Sequence, residues 1–355
     1  MDYIAARPAP AKSPAPILRI LFGDAVAALI TVGVIGLIVL MLPVLEWAVF
    51  DAVWHGDAAA CRAGGACWAY IHDKARLILF GIYPPDQQWR PVIVIGLILA
   101  MVMASLSPRF WNARLALLWG GAILVMLVLM KGGVFGMADV PTAKWGGLPV
   151  TLLLAVLSLG MGFPLAVLLA LGRQSKLPVV KAVSVCVIEL VRGLPLIGLL
   201  FVAAILLPLL LPSDWTIDKL GRTVAALTVF AAAYLAEVLR GGLQGLGKGQ
   251  AEAAQALGIS YWKMIWHIVL PQAIQKVIPP LTNTAIVMVK NTSLVMIVGV
   301  FDMLGAGRAA AGDPAWPAPF TETYLFVAAV YFAICFGISI YARWLERGVK
   351  RKSHA

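Results

Sequence analysis

Glu189 and Arg192 stand three residues apart in ELVRG, and Glu237 and Arg240 repeat that spacing in EVLRG. Acid and base at this interval share one helical face and can pair. Both copies lie in sequence apolar enough for a bilayer, where a lone charge costs about 2.5–3.5 kcal/mol on insertion scales. A third polar group, Lys290, Asn291, Thr292 and Ser293, interrupts the apolar run VMVKNTSLVMI. Polar-interrupted helices near the midplane are where transporters bind substrate. Together these clusters offer both charge signs and several hydrogen-bonding groups, as a zwitterionic solute crossing a pathway or gate requires. Structural glue between helices or subunits accounts for the same residues, and no sequence feature separates contact from support.

Other chemistry finds little footing. GLQGLGKG, Gly242 to Gly249, approaches the phosphate loop G-x4-G-K-[ST]. Gly249 stands where a magnesium-binding hydroxyl is required, and an apolar helix precedes it where a strand is needed. The expectation is a chain without its own ATP site. His55, His72, His267 and His354 are too dispersed for a metal site, and neither a catalytic triad nor paired catalytic carboxylates can be picked out. No catalytic residue is expected. Cys61 and Cys67 flank RAGGA. On an oxidising side of a membrane they could bridge, with Gly64 and Gly65 helping to close so small a ring, or remain two free thiols. Cys186 and Cys335 fall in apolar runs and are expected as core fillers.

The elements that hold these groups must be membrane helices. Of 355 residues 61% are hydrophobic and 13% charged, with mean hydropathy +0.91, against about 25% charged in soluble domains. Runs near twenty residues cross roughly 30 Å of hydrocarbon as helix, and stretches such as AALITVGVIGLIVLMLP lack the alternation of barrel strands. The fold class expected is all-α, polytopic, with about eight transmembrane helices near 24–44, 91–107, 113–131, 148–172, 179–210, 222–245, 277–299 and 322–343. The second is short and the fifth long, so both should tilt or break.

The net charge of +11 has no contiguous basic patch interleaved with aromatics, so nucleic acid is not expected as a partner. Lys and Arg fall instead between the spans, seventeen on the side of both termini against nine opposite. That bias places the termini in the cytoplasm, with residues 1–21 as a short cytoplasmic tail. The chain divides into residues 1–130, a tail plus three-span extension with a long outer loop, residues 145–347, a five-span core, and a basic tail at 348–355.

Between the sixth and seventh spans lies EAAQALGISYWKMIWHIVLP, with the spacing E-A-A-x3-G-x9-I-x-L-P: Glu252, Ala253, Ala254, Gly258, Ile268, Leu270 and Pro271. Gln250 to Leu257 holds good helix formers and small alanines. Gly258 suits a left-handed helix end, Ser260 can cap the next helix, and Pro271 should stop it after Val269. The result is a bent elbow of two short helices. A surface-lying amphipathic helix explains the apolar stripe but neither Gly258 nor the proline.

This spacing resembles the cytoplasmic coupling loop of the membrane-spanning subunits of ATP-binding-cassette (ABC) importers. ELVRGLP, AYLAEVLRGG, GKGQAEAAQALG, LPQA and VKNTSL, in that order, are similar to the polar amino-acid uptake branch. GACWAYI and YPPDQQWRP are similar to one subunit of the bacterial general L-amino-acid uptake system. The resemblance implies a type I permease core in the bacterial inner membrane, coupled through 250–271 to two ABC ATPase subunits that bind ATP and magnesium. It also implies a second homologous permease, a periplasmic amino-acid-binding protein and an L-amino-acid substrate. Leu194 stands where the branch commonly has Thr, and Asn291 where it has Asp, which puts a carboxylate-dependent role at that site in doubt. An ion-driven transporter leaves the elbow without a purpose, and an electron-transfer subunit lacks haem-ligating histidines within the spans.

Overall fold

The structure, a computed structural model, describes residues 17–62, 64–105, 113–212, 217–247 and 249–353. The tail at 1–16, with Arg7 and Lys12, lies outside them, as do Arg109, Lys248 and the last two residues. Helix follows helix: α1 (Ile17–Phe22), α2 (Ala25–Leu45), α3 (Trp68–Phe80), α4 (Trp89–Ser105), α5 (Ala113–Lys131) and α6 (Gly147–Arg173). Then come α7 (Pro178–Gly193), α8 (Leu196–Phe201), α9 (Leu207–Leu210), α10 (Lys219–Gln244), α11 (Gly249–Ala256) and α12 (Tyr261–Met264). The chain closes with α13 (Leu270–Lys276), α14 (Ile278–Asn291), α15 (Met303–Ala311) and α16 (Phe320–Ser353). Among the described residues there are only two isolated β-bridges and no strand.

Among the described residues seven helical stretches are long and apolar enough to cross a bilayer, and an eighth if α7 and Leu196–Leu210 form one broken span. The all-α polytopic expectation is met, and the fifth span breaks where its proline lies. Leu194 (φ −95°, ψ 140°) and Pro195 (φ −60°, ψ 138°) are both extended, and the halves meet at 105°. Proline lacks a donor and drives its predecessor out of the helical region.

The chain parts into two compact units, Met1–Tyr70 and Ile71–Ala355. Packing thus divides it upstream of the 130/145 division drawn from the sequence. In the first unit, Asp24 caps α2 by accepting from Ala27 N at 2.7 Å. Helix α2 runs on through a π turn at Glu46–Phe50 into a loop where Cys61 and Cys67 form a disulfide, Cα to Cα 5.4 Å. A side chain on Gly65 would meet Asp51 and the Trp47 carbonyl, so the small ring depends on that glycine.

In the second unit α6 and α10 pack along their length. Ala231, Ala232, Ala233 and Ala236 are buried, and a Cβ on Gly162 would lie 3.0 Å from the Ala231 Cβ. Small residues let helices approach in lipid. At the start of α6, Gly147 adopts φ +68° and donates to the Phe301 carbonyl at 3.0 Å. Lys74 of α3 meets Asp313, after α15, at 2.8 Å; that bond raises the lysine pKa and lowers the carboxylate's. Cys335 is half-buried, but Cys186 is exposed on α7, which corrects its expected place in the core.

Candidate functional site

The elbow begins with α11, which ends in a left-handed cap. Gly258 has φ +71°, Ile259 N donates to the Ala254 carbonyl at 3.0 Å, and Gly258 N to that of Gln255 at 2.9 Å. This closes the last carbonyls of the helix as a Schellman-type end does. No atom lies within 4 Å of a Cβ placed on Gly258, so its requirement is backbone conformation alone.

Two details differ from the sequence expectation. Ser260 precedes α12 in extended geometry, but its side chain makes no capping bond. Pro271 does not stop the helix. A π turn at Ile265–Val269 follows α12, Leu270 N donates to the Ile265 carbonyl, and α13 carries on with Pro271 in its first turn. The wider turn accommodates a residue that has no N–H and whose ring would crowd the carbonyl four back.

The elbow has two faces. Ala254, Met264, Ile265, Leu270 and Ala273 are buried. Glu252, Ala253, Leu257, Tyr261, Trp262 and Trp266 are exposed, with Tyr261 and Trp262 edge to face at 5.4 Å. Its inner face grips the end of α10. A Cβ on Gly242 would come within 2.8 Å of the Ala273 carbonyl and of Val277, and Lys276 Nζ donates to the Gly245 carbonyl at 2.8 Å.

Helix α10 carries Glu237 and Arg240, two turns or less from that grip. Arg240 chelates Glu237, Nε lying 3.0 and 2.9 Å from its two oxygens with Nη2 also bonded. The second expected pair is different. Glu189 accepts from Arg173 of α6 at 2.7 Å, while Arg192 reaches Glu237 at 3.7 Å and lies over the Tyr234 ring. Arg173 also approaches Glu237 at 3.4 Å. Two carboxylates and three arginines on α6, α7 and α10 form one network, centred on Glu237. Equal helical spacing showed that Glu189 and Arg192 could meet; the packing of α6 and α10 against α7 supplied each with another partner. In the sequence Arg173 was legible only as one more positive charge between spans.

Lys290, Asn291, Thr292 and Ser293 stand where α14 tightens into a 3-10 helix, Thr292–Val298, that ends on left-handed Gly299. They are not one cluster facing one way. Lys290 is exposed, and Thr292 is fully buried. Ser293 folds back onto the Lys290 carbonyl at 2.7 Å. Thr292 Oγ1 donates to the Val289 carbonyl at 2.7 Å and lies 3.2 Å from Tyr331 Oη of α16.

Behind Thr292 lies a set of residues that sequence reasoning missed. Tyr331 donates to buried Asp302 at 3.4 Å. Asp302 in turn caps α15, accepting from Gly305 N at 2.9 Å and Leu304 N at 3.2 Å. Thr151 of α6 accepts from Met303 N at 3.0 Å. Burial raises the Asp302 pKa to about 6, although the backbone N–H groups and Tyr331 pull it down. An Asp before a short alanine-rich helix was the available signal, as an N-cap; its ties to α6 and α16 were not.

Comparison with known proteins agrees with this architecture. Residues 162–351 match the family of binding-protein-dependent transport system inner membrane components. The inner membrane amino-acid ABC transporter permease protein YhdY of Escherichia coli (strain K12) is 42% identical over 337 residues, 92% of this chain and 90% of that protein. The glutamate/glutamine/aspartate/asparagine transport system permease protein BztC of Rhodobacter capsulatus is 35% identical, covering 99% of this chain and 97% of its own. Among solved structures, one described as an amino acid ABC transporter with histidines superposes with TM-score 0.50 at 30% identity, over 57% of this chain and 91% of that one. With its broken-span helical core and near end-to-end likeness to such permeases, the chain belongs to the binding-protein-dependent transport system inner membrane component family, as an ABC-transporter permease of the inner membrane.

Proposed function

We propose a working cycle for this chain, which is the permease subunit of an amino-acid ABC importer. The exposed face of 250–271 is the seat of a partner ATPase, and Glu252, Ala253, Ala254, Gly258, Ile268, Leu270 and Pro271 shape it. Two such ATPases bind ATP and magnesium; this chain contributes no ATP site. A second homologous permease completes the passage, and a periplasmic protein delivers the L-amino acid to the outer face. Both termini are cytoplasmic, an orientation supported by the Lys and Arg bias.

What carries the reading is the grip of the elbow's inner face on α10. The close approach of Gly242 to α13 and the Lys276 bond to Gly245 leave little slack. A push on Tyr261 and Trp262 therefore reaches the helix that bears Glu237. In this reading Glu189, Arg192 and Glu237 form a gate that re-pairs between states, and Lys290, Asn291, Thr292 and Ser293 line the pathway at the α-to-3-10 switch. Arg173 joins the gate.

The test is the assembled transporter in proteoliposomes, supplied with ATP and radiolabelled L-amino acids. Gly258→Val forces a β-branched residue into a left-handed position. The expected outcome is normal assembly and continued ATP hydrolysis, with uptake lower by about tenfold, a loss of ~1.4 kcal/mol in coupling. Unchanged uptake, or failure of a cysteine at Trp262 to crosslink to the ATPase, overturns the proposal.

A further inference from the structure

An open surface hollow of about 440 Å3, sharing no residue with the elbow or either polar network, lies at the C-terminal end of α5. Leu127 and Val128 form an apolar wall, and Lys131 and Asp139 bring opposite charges to it. Neither charge makes an ion pair with another described residue. The loop that shapes the hollow is tied down in three places. Val140 N donates to the Lys131 carbonyl at 2.7 Å and Gly133 N to that of Met137 at 3.0 Å. Buried Arg90 donates to the Ala138 carbonyl at 2.8 Å.

One exposed face of α5 leads towards this hollow. Leu117, Gly121, Leu124, Val128 and Lys131 recur on α5 at intervals of three and four, one helical face. Leu117 and Leu124 are exposed, and nothing lies within 4 Å of a Cβ placed on Gly121. That face runs along a span and ends at the two charges, the outline of an amphiphile lying beside a membrane helix. A headgroup bearing phosphate alone would bring its negative charge to Asp139. A headgroup bearing phosphate and ammonium satisfies both side chains.

We propose that this hollow binds an aminophospholipid. Its phosphodiester lies on Lys131, its primary ammonium on Asp139, and one acyl chain along Leu117, Gly121, Leu124 and Val128. Soluble glycerophosphoethanolamine shares the headgroup chemistry but lacks the chain, so it separates the two contributions.

The assembled transporter is extracted, delipidated and offered phosphatidylethanolamine, phosphatidylglycerol or glycerophosphoethanolamine, and retained molecules are counted by native mass spectrometry. Phosphatidylethanolamine should be retained over phosphatidylglycerol, and soluble headgroup far less. Lys131→Ala should lower retention about fivefold, the factor for ~1 kcal/mol per cation at a lipid surface. Asp139→Asn should abolish the preference between the two lipids. Gly121→Leu should lower phosphatidylethanolamine retention while leaving both charges in place. The variants' size-exclusion profiles show whether each still assembles, and Asp139→Asn and Gly121→Leu are mild enough to carry the test if Lys131→Ala does not. Equal retention of both lipids by the unmodified transporter overturns the proposal. So does retention indifferent to these variants, soluble headgroup held as well as the lipid, or a partner chain crosslinking to Leu124.

Discussion

Two spans of 26 residues, Ala25–Phe50 and Lys219–Gln244, behave in opposite ways. The first is the most apolar in the chain, and none of its core window is buried; over half of the second is. In water the greasier helix would be the more buried. In lipid, apolar side chains gain nothing by leaving hydrocarbon for protein, so close packing and the need to pair polar groups decide which helix is enclosed within its own unit. Helix α10 has both: a run of buried alanines, and the bonded groups of Thr223, Glu237 and Arg240. Hydropathy locates the spans of this protein without ranking their importance to the fold.

One substitution, made in Ala25–Phe50 and in α6 where it packs on α10, sharpens the contrast most. Gly162→Leu puts a branched side chain where Ala231, Thr228 and Ala232 already approach within 3.0–3.3 Å. It should cost about 3 kcal/mol, near the top of the usual range for overpacking, read as a fall in the thermal midpoint in detergent. Gly33→Leu, where nothing lies within 4 Å, should change that midpoint by no more than about 0.5 kcal/mol allows. Equal effects would break the comparison.

The next largest effect concerns the charges of the buried span. Glu237→Gln leaves Arg173, Arg192 and Arg240 crowded with only Glu189. It should cost ~2 kcal/mol, below the 3–5 for a fully buried pair, because the Glu237 side chain is 22% exposed. Glu189→Gln should cost at most ~1 kcal/mol, since that side chain is 52% exposed. If the two variants prove alike in thermal unfolding, the network is not centred on Glu237.

Asp302 gives a pH-dependent test. Its pKa in the fold, about 6, lies above its ordinary 3.8, so folding favours the protonated carboxyl. Its contribution is therefore greatest below 3.8 and declines as pH rises from there to about 6. Asp302→Asn keeps an oxygen for the α15 cap and removes that decline. The difference in unfolding free energy between variant and parent should shift by ~2 kcal/mol in the variant's favour between pH 4 and pH 7. No shift would mean the carboxyl is better solvated than its burial implies.

How much could be seen in the chain beforehand depended on range. The spans, the break at Leu194–Pro195, the left-handed Gly258 and the Arg240–Glu237 chelate are local, determined within a few residues by apolar length, proline geometry, backbone freedom and the i, i+3 interval. Ser260 and Pro271 are local too, yet their expected roles failed. Ser260 made no cap bond, and a π turn absorbed the proline. Local rules state what a residue permits, and packing chooses among the permitted forms.

The pairing of Glu189 with Arg173, the reach of Arg192 to Glu237, and the joining of Thr151, Thr292, Asp302 and Tyr331 were decided only by tertiary structure. Those partners are separated by 16 residues at the least and by well over a hundred at the most, and no periodicity connects them. The sequence by itself determined that this chain has about eight stretches apolar enough to cross a membrane, and a bent elbow at 250–271. Which charged and polar groups answer one another was decided when α6, α7, α10 and α16 packed, because a polar group shielded from water takes the nearest partner that the fold presents.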